Sequence, residues 1–439
     1  MLPHSKVYNN YNTNIYKLIC NTILMIKDAL ILQKRELNSL LNEKYIERKD
    51  IKLDISHSLI KVIIGPRRAG KSFFSLHMLN KKDKFGYINF DDESLVEIED
   101  YNEIISAMNS LYENPKILFL DEIQNLPKWE LFVNRLQRQG FNLIITGSNS
   151  HLLSKELSTH LTGRYLQSVV LPFSFEEYLN VDSKELTTAE IKEKLELYLI
   201  YGGYPEPLIK KINYKDYLST LFNSIIFKDI VKRYKIRNGQ AIEKLSEQLL
   251  SNICNEYSYN SLSKVAGIKS THTIEKYISY LEESFIFFNL KRFSYKVKEQ
   301  ISSIKKIYCI DNGFIHARAF TSSQNLGKLY ENLVAISLKK NELEGKINFY
   351  YWKNQQQEEV DFVIKEGTKI KQLIQVCYNL ENKDTKSREI RALLKAGQEL
   401  KCKNLLIITS HKEGEEDVEW FGIKSKVRFI PLWKWLLNK

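Results

Sequence analysis

The chain has 439 residues, which is enough for about two to four domains, each with its own core. A hydrophobic content of 43% and an aromatic content of 12% belong to a globular protein and exclude a disordered one, while the net charge of +12 would favour nucleic acid or anionic surfaces. Lys, Ile, Asn and Tyr are all abundant, so a compositional bias explains the basicity equally well. The five cysteines (Cys20, Cys254, Cys309, Cys377, Cys402) are odd in number, scattered and without a C-x-x-C pair. That excludes a disulfide frame or zinc site and fits a reducing cytoplasm.

The N-terminus begins with polar residues and lacks the basic-then-apolar pattern of a secretory signal, so a cytoplasmic location is expected. Ile15 to Leu32 is the most apolar early segment, but Lys17, Lys27 and Asp28 interrupt it, which predicts an amphipathic helix docked on the core, with docking on a partner as the alternative, and no membrane contact. Residues 1–50 are taken as an N-terminal helical segment, ending in the charged run Asn42 to Asp50, which reads as a solvated end.

From 51 to 172, strands and helices alternate: strands are predicted at Leu59 to Ile64, Phe85 to Phe90, Lys116 to Leu120, Phe141 to Thr146 and Leu166 to Leu171. This is an α/β pattern with a mainly parallel sheet. Residues 173–238 read as a helical lid with helices at Phe175 to Leu179, Thr188 to Tyr201 and Tyr214 to Tyr234, and the Gly-Gly turn at 202–203 lies between the last two. Residues 239–320 read as a winged helix, with a basic wing at Lys291 to Lys298 between strands Phe285 to Leu290 and Lys306 to Ile310. Residues 321–439 form a second α/β domain, in which strand Asn404 to Thr409 is followed by a final helix at Pro431 to Leu437.

The chemistry is concentrated in Gly65-Pro66-Arg67-Arg68-Ala69-Gly70-Lys71-Ser72, followed by Phe73 and placed between an apolar strand and an apolar helix. The pattern G-x-x-x-x-G-K-[ST] lets backbone N–H groups curl around phosphate oxygens. Lys71 would reach the β- and γ-phosphates of ATP, and Ser72 would ligate Mg²⁺. A second apolar strand ends in Asp121-Glu122, where Asp121 can hold Mg²⁺ through its water shell and Glu122 can polarise the attacking water. A third strand ends in Thr146, Ser148 and Asn149, any of which could hydrogen-bond the γ-phosphate or that water. Arg164, in Thr162-Gly163-Arg164, can neutralise transition-state charge in cis or from a neighbouring subunit; a solvated surface arginine is the plain alternative. Arg67 and Arg68 can bind phosphate or contact a subunit, or pair with Asp91, Asp92 or Glu93.

Together with Trp129, Leu-Pro-Phe-Ser-Phe-Glu-Glu-Tyr at 171–178 and Tyr-Gly-Gly-Tyr-Pro-Glu at 201–206, these motifs resemble an AAA-like P-loop ATPase group of archaea and bacteria, similar to the signal-transduction ATPases with numerous domains. The resemblance implies a sheet in which the strand ending at Thr146 lies between those carrying the phosphate loop and Asp121. It also implies Glu122 as catalytic base, Thr146 to Asn149 as γ-phosphate sensor, Arg164 as candidate arginine finger or sensor, and a winged helix followed by a restriction-endonuclease-like domain. In that last domain Glu331 and Asp361 match two acidic positions, but Gln375-Val-Cys377 stands where Glu-x-Lys would be, so a degenerate nuclease is expected.

The expected function is therefore Mg-ATP hydrolysis coupled to movement of the attached domains. The rivals are a DNA-binding regulator that uses ATP as a slow switch and, disfavoured by Gln375 and Cys377, an ATP-dependent nuclease. DNA would meet Lys269, Thr271, His272, Thr273 and Lys276 on one helix and Arg292, Lys296 and Lys298 in the wing. A homo-oligomer and an unidentified protein client are the remaining candidate partners.

Overall fold

The computed structural model describes residues 25–438 other than 52–53, 56, 81–83, 96–97, 99, 149–160, 162, 183 and 320–324. Two compact units separate: the chain up to Gly65 with Gly70–Val170, and Pro66–Ala69 with the chain from Leu171 onward.

The first unit is built on five strands, β1 (Ile60–Ile64), β2 (Phe85–Asn89), β3 (Ile117–Asp121), β4 (Asn142–Gly147) and β5 (Tyr165–Val169), in the order β2-β3-β4-β1-β5. Every pairing is parallel. Near-continuous apolar runs suit strands covered on both faces, and all five residues of β1 are buried. The register sets Ile63 beside Thr146 and Leu120 beside Ile145, so β1, β4 and β3 end along one edge. The strand carrying Asp121 is separated from β1 by β4, as the resemblance implies.

Ile26, Leu30 and Leu37 bury one stripe of a helix over 25–41, and the Gln33 amide exchanges hydrogen bonds with the backbone of Asn89 at 2.9 and 3.1 Å. The expected docking of this helix on the core is thus seen; the segment before residue 25 lies outside the described residues. The run 42–50 is not a solvated end throughout, because Ile46 and Arg48 are buried.

The second unit begins with helices that start on strong caps. Ser174 with Glu177 and Thr187 with Glu190 form capping boxes for helices Phe175–Leu179 and Thr188–Tyr201. Gly202 ends the latter at φ 73°, and a Cβ there would sit 1.8 Å from Asp311 Oδ1, so no larger residue fits. The helix predicted over Tyr214 to Tyr234 is α-helical only at Tyr214–Ser224 and continues as a π-helix over Ile225–Lys232.

Helix Gly239–Ser251, then β6 (Glu256–Tyr257), helices Tyr259–Ala266 and Thr271–Glu283, β7 (Phe287–Lys291) and β8 (Lys305–Cys309) follow, the three strands forming a sheet in the order β6-β8-β7. Where an open basic wing was expected between β7 and β8, the chain forms the short helix Val297–Ser302. There Lys296 pairs with Glu299 at 2.9 Å and Arg292 donates to the carbonyl of Lys353.

The helix Leu326–Leu343 leads into a six-stranded mixed sheet of β9 (Asn348–Lys353), β10 (Glu359–Glu366), β11 (Lys369–Val376), β12 (Leu405–Thr409), β13 (Gly414–Trp420) and β14 (Ile423–Pro431), in the order β13-β14-β12-β11-β10-β9. The hairpin β13–β14 has no counterpart among the predicted elements. One face pairs by charge, with Glu419 opposite Lys424 at 3.2 Å and Glu415 reaching the diagonal Lys426 at 3.3 Å, while Val427 and Phe429 join the core and Val418, Trp420 and Ile423 pack against it.

Candidate nucleotide-hydrolysis site

The site lies where β1, β4 and β3 end. Gly65 leaves β1 at φ 149°, and a Cβ there would come within 1.9 Å of the Val170 carbonyl oxygen; only glycine permits this exit. Arg68 and Gly70 also have positive φ, and helix Lys71–Asn80 starts directly after the turn. The result is a loop running into a helix N-terminus, a favourable setting for an anion.

Asp121 is 2% exposed and is enclosed by donors. Ser72 Oγ donates to its Oδ1 at 2.9 Å, the Thr146 hydroxyl donates to the same oxygen, and Tyr87 donates to Oδ2 at 3.3 Å. Burial, with the adjacent charge of Glu122, pushes the Asp121 carboxyl up to about 6, against the opposing pull of these hydrogen bonds and Lys71. Glu122 adopts the left-handed conformation at φ 49°, its N–H donates to Thr146 Oγ1 at 2.9 Å, and its Oε1 lies 3.6 Å from Lys71 Nζ. Thr146 thus joins the backbone of one acidic residue to the side chain of the other.

Sequence reasoning passed over Gln124. Its Nε2 donates to Glu122 Oε2 at 2.6 Å and to Ser148 Oγ at 3.4 Å, while its Oε1 is buried without a hydrogen-bond partner. Its place two residues after a candidate base was the available signal, and the structure sets it in a single 3-10 turn. Tyr45 was also missed: its ring stacks on His77 at 4.1 Å between centroids, and Phe73 lies 4.6 Å from the same imidazole.

The oxygen donors fit Mg²⁺. A hydroxyl and a carboxylate meet at the end of the loop, and no cluster of three or more His, Cys, Asp or Glu suited to a metal occurs among the described residues. Mg²⁺ characteristically takes one or two protein ligands and completes its shell with phosphate and water.

Other predicted residues fall elsewhere. Arg67 Nη1 lies 3.3 Å from Asp229 and Arg68 Nη1 3.6 Å from Glu206. Asp92 accepts from Gln33 and Ser94. Arg164 is exposed just before β5, whose Tyr165 pairs with Ile60. It therefore stands at the far end of the strands from the phosphate loop, about 13 Å along β1 at roughly 3.3 Å per residue. The structure does not bring Arg164 to the loop of its own chain. Asn149 lies outside the described residues.

The AAA domain family matches residues 57–179, and two families described as domains of unknown function match 192–325 and 326–435. An uncharacterized protein of Methanocaldococcus jannaschii is 38% identical over 409 residues, covering 89% of this chain and 91% of its own length. An uncharacterized protein of Haemophilus influenzae is 30% identical over 301 residues, covering 64% and 74%. The Walker-type ATPase PABY2304 of Pyrococcus abyssi is similar at a TM-score of 0.40 and 15% identity, covering 63% of this chain and 98% of its own. The ORC1 protein of Aeropyrum pernix, solved in complex with DNA, gives a TM-score of 0.28 at 10% identity over 64% and 88%. These two likenesses are too weak to bear on the fold. The extent of the sequence matches decides the matter: the chain belongs to the same family as these archaeal and bacterial proteins, and it carries an AAA domain of the P-loop ATPase type.

Proposed function

We propose that the protein is a Mg²⁺-dependent ATP hydrolase whose cycle moves the domains that follow the ATPase core. The observation that carries the reading is the convergence of Ser72 on Asp121 at 2.9 Å and of Lys71 on Glu122 at 3.6 Å along a single sheet edge. Phosphoryl transfer asks for positioning and charge stabilisation more than covalent chemistry. Lys71 places its ammonium on the β- and γ-phosphates. Ser72 and Asp121 would hold Mg²⁺, which would supply charge neutralisation at the phosphate oxygens. Glu122 orients the attacking water and accepts its proton, Gln124 holds the Glu122 carboxylate, and Thr146 fixes both acidic residues. Arg164, too far along the sheet to serve its own loop, acts on the nucleotide of a second copy. Coupling runs through the loop tip, because Arg67 and Arg68 are held by Asp229 and Glu206 in the helical segment, so a change at the loop reaches those helices.

The helix, strand, helix, helix, strand, strand order from 239 to 309, with only the short helix Val297–Ser302 inserted between the last two strands, supports a winged helix, and the mixed sheet after 326 supports a nuclease-like domain. DNA contact is the second reading, favoured by the exposed Lys269, Thr271, His272 and Lys276. The internal partners of Arg292 and Lys296 weaken it. A steep fall of DNA affinity with salt would support that reading, since phosphate contacts release counterions.

Purified protein with Mg-ATP should release phosphate, and chelation of Mg²⁺ or Asp121→Asn should remove the release. ATP binding without any phosphate release would leave the switch reading in its place.

A further inference from the structure

Lys306, on β8, has a side chain only 3% exposed, and its Nζ lies 2.5 Å from Glu359, 3.2 Å from Glu331 and 3.7 Å from Asp361. Tyr308, two residues on and so on the same face of the strand, donates to the same Glu331 oxygen at 2.7 Å. The Tyr351 ring lies 5.6 Å from the ammonium, and Asp361 Oδ2 accepts from the Val376 N–H at 2.8 Å. Burial alone would lower the Lys306 pKa, but Glu331, Asp361 and Glu359 hold it well above the ordinary lysine value. Burial, and then Glu331 beside it, push the Asp361 carboxyl up.

In the restriction-endonuclease-like arrangement that the sequence resembles, Glu331, Asp361 and an acidic residue at 375 would hold Mg²⁺. The residues present do not fit that ion. Gln375 gives its Nε2 to Glu389 at 2.6 Å and accepts the Asp361 N–H at 3.2 Å, so it is already engaged on both sides. The point within reach of Glu331, Glu359 and Asp361 is held by an ammonium. Mg²⁺ contacts its oxygens at about 2.0–2.1 Å and cannot share that point with a second cation.

We infer that the Lys306 ammonium stands in for the divalent cation of a nuclease-like centre, leaving a closed, metal-free ion-pair hub that ties β8 to helix Leu326–Leu343 and to β10. The lysine missing from position 377 is replaced by one from a different element, and in a role that excludes metal. Removing Lys306 would leave buried carboxylates uncompensated, which makes the hub structural as well. The inference rests on the nuclease-like reading of this domain and is independent of ATP turnover.

The test uses the full chain without nucleotide, so that the phosphate loop contributes no phosphate-completed metal site, and follows free Mn²⁺ by electron paramagnetic resonance. Wild type and Asp361→Asn should show the same weak, non-saturating uptake, and neither should nick supercoiled DNA with Mn²⁺. Lys306→Met should gain one saturable site, lost again in Lys306→Met/Asp361→Asn. A saturable wild-type site, or nicking, that disappears in Asp361→Asn overturns the inference and makes Lys306 a lysine beside a working metal centre. A folded Lys306→Met that gains no site overturns it too. Should Lys306→Met fail to fold, as circular dichroism would show, the comparison of wild type with Asp361→Asn decides the question.

Discussion

Lys71 Nζ and Glu122 Oε1 face each other at 3.6 Å, with the lysine side chain 3% and the glutamate side chain 15% exposed. The loop lysine is therefore paired with the candidate base, and phosphate oxygens would have to compete with Glu122 for it. Lys71→Ala should weaken ATP binding by about 10- to 100-fold, the range expected for loss of charge-assisted hydrogen bonds. Calorimetric titration checks this, and an unchanged affinity would remove Lys71 from the phosphate site.

Asp121 should set the acid limb of the rate profile. Its carboxyl titrates near 6, and only the ionised form serves the metal, so kcat/KM should rise with pH through about 6 and level off above it. The effect on stability has the opposite direction. Between about pH 4 and 6 the folded chain keeps a proton at Asp121 that the unfolded chain releases, so this group's contribution to stability falls as pH rises across that window. Melting curves of wild type and Asp121→Asn should diverge there, with the variant flatter.

Gln124 is a positioning residue, acting through the carboxylate it holds at 2.6 Å. Gln124→Ala should lower kcat by about 10- to 100-fold with KM nearly unchanged, the pattern of an interaction felt in the transition state. Equal loss of ATP affinity would instead mark it as part of the binding site.

Arg164 sits at the start of β5, remote from its own loop, so its contribution should depend on assembly. Wild-type specific activity should rise with protein concentration, whereas Arg164→Ala should stay low and flat. Concentration-independent turnover in both would make Arg164 a solvated surface residue.

What the sequence disclosed follows from how local each signal is. The loop at 65–72, the strand ending in Asp121 and the strand ending in Thr146 each carry their own apolar run and terminal polar residues, so their positions were readable to within one or two residues. Lys306 was not readable, because its partners at 331, 359 and 361 are distant in sequence and meet it only through the packing of β8. The pairs of Arg67 with Asp229 and of Arg68 with Glu206 were unreadable for the same reason, since each joins residues more than a hundred positions apart. The β13–β14 hairpin was missed because its apolar face is sparse: Val418, Trp420 and Ile423 are only partly buried and charged residues stand between them, although Val427 and Phe429 reach the core. Nothing in the residues from 225 to 232 foretold a π-helix.

The central claim is that Glu122 turns a nucleotide-binding loop into a hydrolysis site. The direct measurement is the state of the bound nucleotide in Glu122→Gln after incubation with Mg-ATP, read alongside phosphate release. The account predicts retained ATP, an affinity close to that of wild type and release lowered by about 10²- to 10⁴-fold, the usual contribution of a positioned base. Bound ADP and phosphate release at the wild-type rate would contradict it.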